Sequence, residues 1–349
     1  MSEVDTHDRI RAAVAGLVEA DGITWTAWWH RMSKLPPRRA VRLGQAWDHA
    51  REQLSTSLPT PYLQSSSPAL VDPAGPTDDT EWFVVGLRSH LGQALDGGSA
   101  GAVWTELAET RAEDPDAVRG RLGTQIALAN LTEGVAAPAS GNDNPHYFDD
   151  HAMVRAVGAG LLQPGRSERA AELAERDASV THALDGVWGA RATAALFAAL
   201  VGGADRATAI RAARAELPEG SWISHVVAEC LESGRHASEA GMRLAASLER
   251  GVVDHVYAYA TQAPEVLGLL LVHLQQAASA DEVLVGALCH PRHADALVPL
   301  AAAAAGAHFA EPTQLPSVAL GGVCIRALEG VQVGSIVETL TREAAGAVA

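Results

Sequence analysis

Apolar residues recur along this chain at intervals of three and four, in segment after segment. Ile10, Ala13, Val14, Leu17 and Val18 mark an apolar stripe over residues 7–21, which predicts a helix. Ala20-Asp21-Gly22 follows, and Gly22 is expected to end that helix in a left-handed turn. Trp25, Trp28 and Trp29 come next, then a break at Pro36-Pro37. Tryptophans this dense either anchor a core beneath a loop or stack on a ring. Residues 38–54 predict a second helix with a charged outer face. The Ser/Pro/Thr stretch from Ser55 to Pro76 predicts a lid, a binding loop or a linker. Helical patterns cover about 78–96 and 100–133, broken near Gly98 and Asp114-Pro115. A Gly/Asn/Asp/Pro-rich loop over 136–150 then leads into a helix containing Asp150 to Arg155. From there helices run onward, punctuated at Pro164-Gly165, Gly202-Gly203, Pro218-Glu219-Gly220, Gly251, Pro264, Pro291 and Pro312. The pattern holds no convincing strand alternation and no fixed-period repeat. It predicts an all-α fold, with residues 1–349 in a single domain.

Composition strengthens that expectation. The chain is alanine-rich and 48% hydrophobic but only 5% aromatic, a balance that favours helices over sheets. A formal net charge of −16, with no run of basic residues, excludes a nucleic-acid surface. Cys230, Cys289 and Cys324 are far apart and odd in number, which fits a reducing cytoplasm. The polar N-terminus lacks a signal-peptide core. Apolar stretches such as Ala263–His273 and Ala294–Ala307 are too short for a membrane span. A soluble cytoplasmic protein is expected, without a membrane or nucleic-acid partner.

Candidate chemistry concentrates in two places. Thr77-Asp78-Asp79-Thr80-Glu81 packs four hard oxygen groups just before an apolar helix, which suits Mg²⁺ or Mn²⁺. The same residues also read as a capping box, with Glu81 three positions after Asp78. The second place is Cys289-His290-Pro291-Arg292-His293-Ala294-Asp295. Asp295 is expected to cap a helix, because Pro299 is tolerable only in or near a first turn. Two helix mouths presenting carboxylate could face each other across an ion. His290 and His293 form His-x-x-His beside Cys289, a weak zinc signal without a second ligand pair. Asp149-Asp150 reads as a cap for the helix that follows. Asn142 and Asn144 read as turn formers.

Thr77-Asp78-Asp79-Thr80, Arg155 with Gly160, the Thr181-His182 step, and Asp295 with Gly306-Ala307 downstream follow one another in a recognisable order. In that order they resemble the ADP-ribosylglycohydrolase family, including the dinitrogenase-reductase-activating glycohydrolases. The resemblance spans nearly the whole chain. It implies a compact orthogonal bundle of many helices, and two Mg²⁺ ions between two acidic motifs. The implied reaction is hydrolysis of a glycosidic bond to ADP-ribose on a protein side chain or a small molecule. Carried over residue by residue, Asp78 and Asp79 are catalytic, and Thr77, Asp78, Asp79 and Asp295 hold metal. Asp21, Asn144, His151, Arg155 and His182 would contact substrate. Arg155 equally reads as the partner of a carboxylate inside the bundle, and His182 as a packed core histidine. The chain departs from the family at His293, where an Asp is expected, and at Ala296, where a Thr is expected. Imidazole is a poor partner for Mg²⁺, so one ion is expected to survive, as Mg²⁺ or Mn²⁺. The expected protein is a monomeric glycosidase-type hydrolase. The alternative is a catalytically silent binder of ADP-ribose or another nucleotide on the same fold.

Overall fold

The structure is a computed structural model. It describes residues 5–33, 76–95, 101–237, 240–254, 261–290, 292–310 and 317–348. The predicted helix over 38–54, the loop from Ser55 and the breaks at Pro36-Pro37, Gly98, Pro291 and Pro312 lie outside these residues. So do the side chains of Trp25, Trp28 and Trp29.

The described residues form helices throughout, with no sheet. In chain order they are α1 (Thr6–Ser33), α2 (Asp78–Leu95), α3 (Gly101–Glu113), α4 (Leu122–Thr132), α5 (Ala139–Asn142) and α6 (His151–Leu161). Next come α7 (Ser167–Thr181), α8 (Leu184–Val201), α9 (Arg206–Ala215), α10 (Trp222–His236) and α11 (Gly241–Gly251). The series ends with α12 (Ala263–Gln276), α13 (Ala280–Leu288), α14 (Ala294–Phe309) and α15 (Val333–Val348). The fold is all-α, as expected.

Most of the predicted punctuation falls between helices. Pro164-Gly165 separates α6 from α7, Gly202 caps α8, and Pro218 to Gly220 separates α9 from α10. Pro264 starts a helix instead of breaking one, lying in the first turn of α12, where its missing N–H costs nothing. Two boundaries differ from expectation. Helix α1 runs straight through Gly22 to Ser33. Thr24 Oγ1 donates to the carbonyls of Ala20 and Asp21 at 3.1 and 3.2 Å, as it does in a continuing helix, and one interior glycine costs only about 1 kcal/mol. Helix α14 starts at Ala294 with His293 in the N-cap position, so Asp295 lies in the first turn and Pro299 inside the helix.

The interior is built from small residues. All eleven residues of α6 are buried, and α8 is buried over nearly its whole length. Ala152, Ala156 and Ala159 of α6 pack with Ala170, Ala174 and Ala178 of α7 and Ala190, Ala194 and Ala198 of α8. Helix α8 is long and apolar enough to cross a membrane, yet 83% of it is buried inside the protein, as suits a core helix. Helix α1 lies against α14 through two reciprocal notches. A Cβ on Gly16 would come within 2.5 Å of the Ala302 carbonyl oxygen, and one on Gly306 within 2.3 Å of that of Ala12. Gly86 gives the same closeness between α2 and the Arg155 backbone of α6. These contacts fix α1 against α14 and α2 against α6.

Candidate functional site

The site is assembled from helix beginnings. Asp78 and Asp79 open α2, Arg121 precedes α4, Asp150 precedes α6, and Asp295 sits in the first turn of α14. Helix N-termini carry partial positive charge, so carboxylates are favoured there.

Asp21 of α1 fixes the first of these mouths. Its carboxylate accepts the Thr77 and Thr80 backbone N–H groups at 2.7 and 3.0 Å, and their hydroxyls at 2.5 and 2.6 Å. The cap on α2 therefore comes from another helix, and the expected capping box does not form. Glu81 instead points to the opposite side and accepts the N–H groups of Val323, Cys324 and Ile325 at 2.6–2.7 Å. Burial pushes the Glu81 carboxyl up, and the three amides oppose that shift. The segment they hold pairs in turn with residues 117–119. Arg119 N–H donates to Cys324 O at 2.7 Å, and Arg326 N–H to Ala117 O at 3.0 Å. Trp82 Nε1 donates to Arg119 O at 3.1 Å.

That fastening aims Arg121 into the carboxylates. Its guanidinium donates to Asp295 Oδ2 at 2.8 Å, lies 3.6 Å from Asp79 Oδ1 and is ion-paired with Asp150 Oδ1. Asp150 is held by its own N–H bond to Thr261 O at 2.8 Å. Burial alone would lower the pKa of Arg121, but Asp295 and Asp79 raise it, so the group stays charged. Asp78 and Asp79 are both pushed well above the usual carboxylate range. For Asp78 the causes are burial, then Asp295 and Asp21; for Asp79 they are burial, then Asp78 and Asp295. Neither oxygen of Asp79 has a hydrogen-bond partner, although the residue is 1% exposed.

Carboxylates beside a threonine hydroxyl are hard oxygen donors, the kind that Mg²⁺ and Mn²⁺ take. The orphaned buried oxygens of Asp79, beside the three further carboxylates of Asp78, Asp150 and Asp295 and one guanidinium, leave negative charge uncompensated. Among the described residues, no group of three or more acidic, histidine or cysteine side chains is placed to hold a metal ion. Arg121 stands among the acids instead.

Of the residues expected in the site, Thr77, Asp78, Asp79 and Asp295 come together. His293 turns away, with Nε2 2.6 Å from Glu265 Oε2 of α12. His290 faces Glu249 at 2.7 Å and His273 at 2.8 Å, so the His-x-x-His pair does not converge. Asn144, His151, Arg155 and His182 are buried and form a scaffold behind the loop over 143–150. Asn144 spans the Gly123 and Thr181 carbonyls, both at 2.9 Å. His151 Nδ1 lies 2.6 Å from Thr124 Oγ1, and its pKa is driven well down by burial, then by Arg121 and Arg155. Arg155 donates to Asp177 at 2.8 Å and Thr181 at 2.7 Å, with its guanidinium over Trp104. His182 bridges Asp149 and Thr181, each at 2.6 Å. Asp149 also accepts the His151 N–H at 2.9 Å at the start of α6, while the N-cap residue Asp150 turns its side chain to Arg121 instead of capping the helix. On its outer side His182 borders a cleft of about 430 Å³, lined also by Asn142, Ser179, Leu184 and Trp188.

Sequence reasoning missed Arg121. A signal existed: a basic residue directly before a helix opposes the dipole and needs carboxylate partners.

Comparison with known proteins agrees with this architecture. The family model for ADP-ribosylglycohydrolase matches residues 2–344. No curated protein matches the chain by sequence. A solved structure described as an ADP-ribosylglycohydrolase-related protein complex is similar in fold. It superposes with a TM-score of 0.58 at 17% identity, covering 99% of each chain.

Proposed function

We propose, from the premise that the chain belongs to the ADP-ribosylglycohydrolase family, that it hydrolyses the glycosidic bond joining ADP-ribose or a related ribosyl group to an acceptor. Thr77, Asp78, Asp79 and Asp295 would hold one divalent ion, Mg²⁺ or Mn²⁺. Such an ion, when bound, orients a ribose diol and lowers the pKa of water. The rest falls to this chain's own residues. Asp78 or Asp79 would orient the attacking water and handle its proton. Asp21 keeps the Thr77–Thr80 turn rigid under them. The acceptor is a small molecule or a protein side chain. The protein would act as a cytoplasmic monomer, and its three cysteines are buried and unbridged.

The observation that carries this proposal is the pair of orphaned Asp79 oxygens at the meeting point of the helix mouths. The test is release of ADP-ribose from an N-linked ADP-ribosyl guanidine and from an O-linked ADP-ribosyl ester or ether, with Mg²⁺, with Mn²⁺ and with chelator. Release that needs metal and vanishes in Asp79→Asn supports hydrolysis. ADP-ribose binding without release from any linkage would support a silent binder instead. That second reading is favoured by the turning of His293 to Glu265 and by Arg121 among the acids.

A further inference from the structure

We propose that Arg121 is a resident cation of this site, which fills the Asp79–Asp150–Asp295 face permanently and limits the carboxylate cluster to a single exogenous ion on the Asp78 side. The proposal rests on Asp78, Asp79 and Asp295 being metal ligands.

Three observations carry it. The guanidinium reaches carboxylates from three separate helix beginnings, α2, α6 and α14, as a bridging cation would. Its side chain is 9% exposed, so these are interior pairs that solvent screens little. The segment leading into it is fastened at Arg119 by Trp82 and Cys324 and at Ala117 by the Arg326 N–H, so the charge is delivered from a held segment. A Cβ on neighbouring Gly120 would lie 3.0 Å from the Trp82 ring, which shows how closely that segment is held. Asp79 Oδ1 lies 3.6 Å from the guanidinium, neither Asp79 oxygen has a hydrogen bond, and the neighbouring Asp78 charge acts on Asp79 as well. One guanidinium against Asp78, Asp79, Asp150 and Asp295 leaves charge for an ion beside Asp78. The guanidinium itself excludes one from the other face. Arginine suits this task because its charge does not titrate and its planar fork spans several oxygens.

The consequence is measurable as a metal count. Mn²⁺ binding to the full chain would be followed by equilibrium dialysis with electron paramagnetic resonance, alongside melting curves in chelator and in excess Mn²⁺. The native protein is expected to bind one Mn²⁺ per chain. Arg121→Met is expected to bind a second, or to bind one at least tenfold more tightly. It should also melt lower than the native protein in chelator and recover more on adding Mn²⁺. Arg121→Lys, which keeps the charge, should stay at one ion. Two ions in the native protein would overturn the proposal. So would one ion of unchanged affinity in Arg121→Met, or failure of that variant to fold even with Mn²⁺. In those cases the metal reading of the site survives. No ion in either protein overturns that reading and this proposal together. No ion in the native protein and one in Arg121→Met would overturn the proposal as well, because the native cluster would then hold Arg121 and no ion on the Asp78 side.

Discussion

Replacing Asp21 by asparagine separates a cap from a ligand role. The carboxylate of Asp21 receives four hydrogen bonds, two from backbone N–H groups and two from hydroxyls, all at the start of α2. In Asp21→Asn the side chain would keep its shape and its helical position, but one oxygen would become an NH₂ facing donors. Each hydrogen bond to a charged group contributes roughly 1.5–3 kcal/mol. Oδ2 receives three of the four bonds and Oδ1 only the Thr77 hydroxyl. That one bond would be lost, with the hydroxyl able to rotate and accept, while the other three would fall from the charged to the neutral range of roughly 0.5–1.5 kcal/mol each. The expected loss is about 3 kcal/mol. Unfolding entropy of about 2.1 cal/mol/K per residue gives ~0.7 kcal/mol/K for a chain of 349 residues. The melting temperature should therefore fall by about 4 °C in scanning calorimetry. Asp21→Ala leaves all four donors unanswered and should fall further. Mn²⁺ affinity should drop in both, because Thr77 to Asp79 lose their anchor. An asparagine variant that melts within about 1 °C of the native protein, with the alanine variant no worse, would refute the assignment of Asp21 as the cap of α2.

Three further outcomes follow from the same geometry. Asp79→Asn removes a buried charge whose pKa is raised by burial and by Asp78, so without metal the variant should melt higher while Mn²⁺ binding disappears in dialysis. His273 is driven well below its ordinary value of 6.5 by burial, then by His290. The unfolded chain therefore binds the proton more readily, and its contribution to stability is lost as pH falls below about 6.5, by up to ~1.4 kcal/mol per pH unit; urea titrations should show this slope reduced in His273→Gln. Gly16→Ala forces a Cβ to within 2.5 Å of the Ala302 carbonyl, so α1 must move off α14 at a cost of about 1–3 kcal/mol, read as a lower urea midpoint.

The helical class was legible because alanine content, spacing and Gly/Pro punctuation are local signals. The approach of Thr77–Asp79 to Asp295 was legible because both sets of acids stand at helix mouths, where the dipole favours them. What stayed hidden depends on partners far along the chain. Gly22 reads as a stop, yet the helix continues, because tertiary packing overrides one glycine. Glu81 satisfies the capping pattern, but its partners are the amides of residues 323–325. His293 stands where an acid was expected, and only the packing of α12 shows that it faces Glu265. Arg121 acquires its meaning from Asp79, Asp150 and Asp295, which lie on three other elements. No local pattern contains that juxtaposition.

Calorimetric titration of ADP-ribose into metal-free protein, repeated with excess Mg²⁺ and then Mn²⁺, tests the central claim most directly. Binding that appears only with metal, and is lost in Asp79→Asn, is the expected result. Equal binding with and without metal would contradict an ion held by Thr77, Asp78, Asp79 and Asp295.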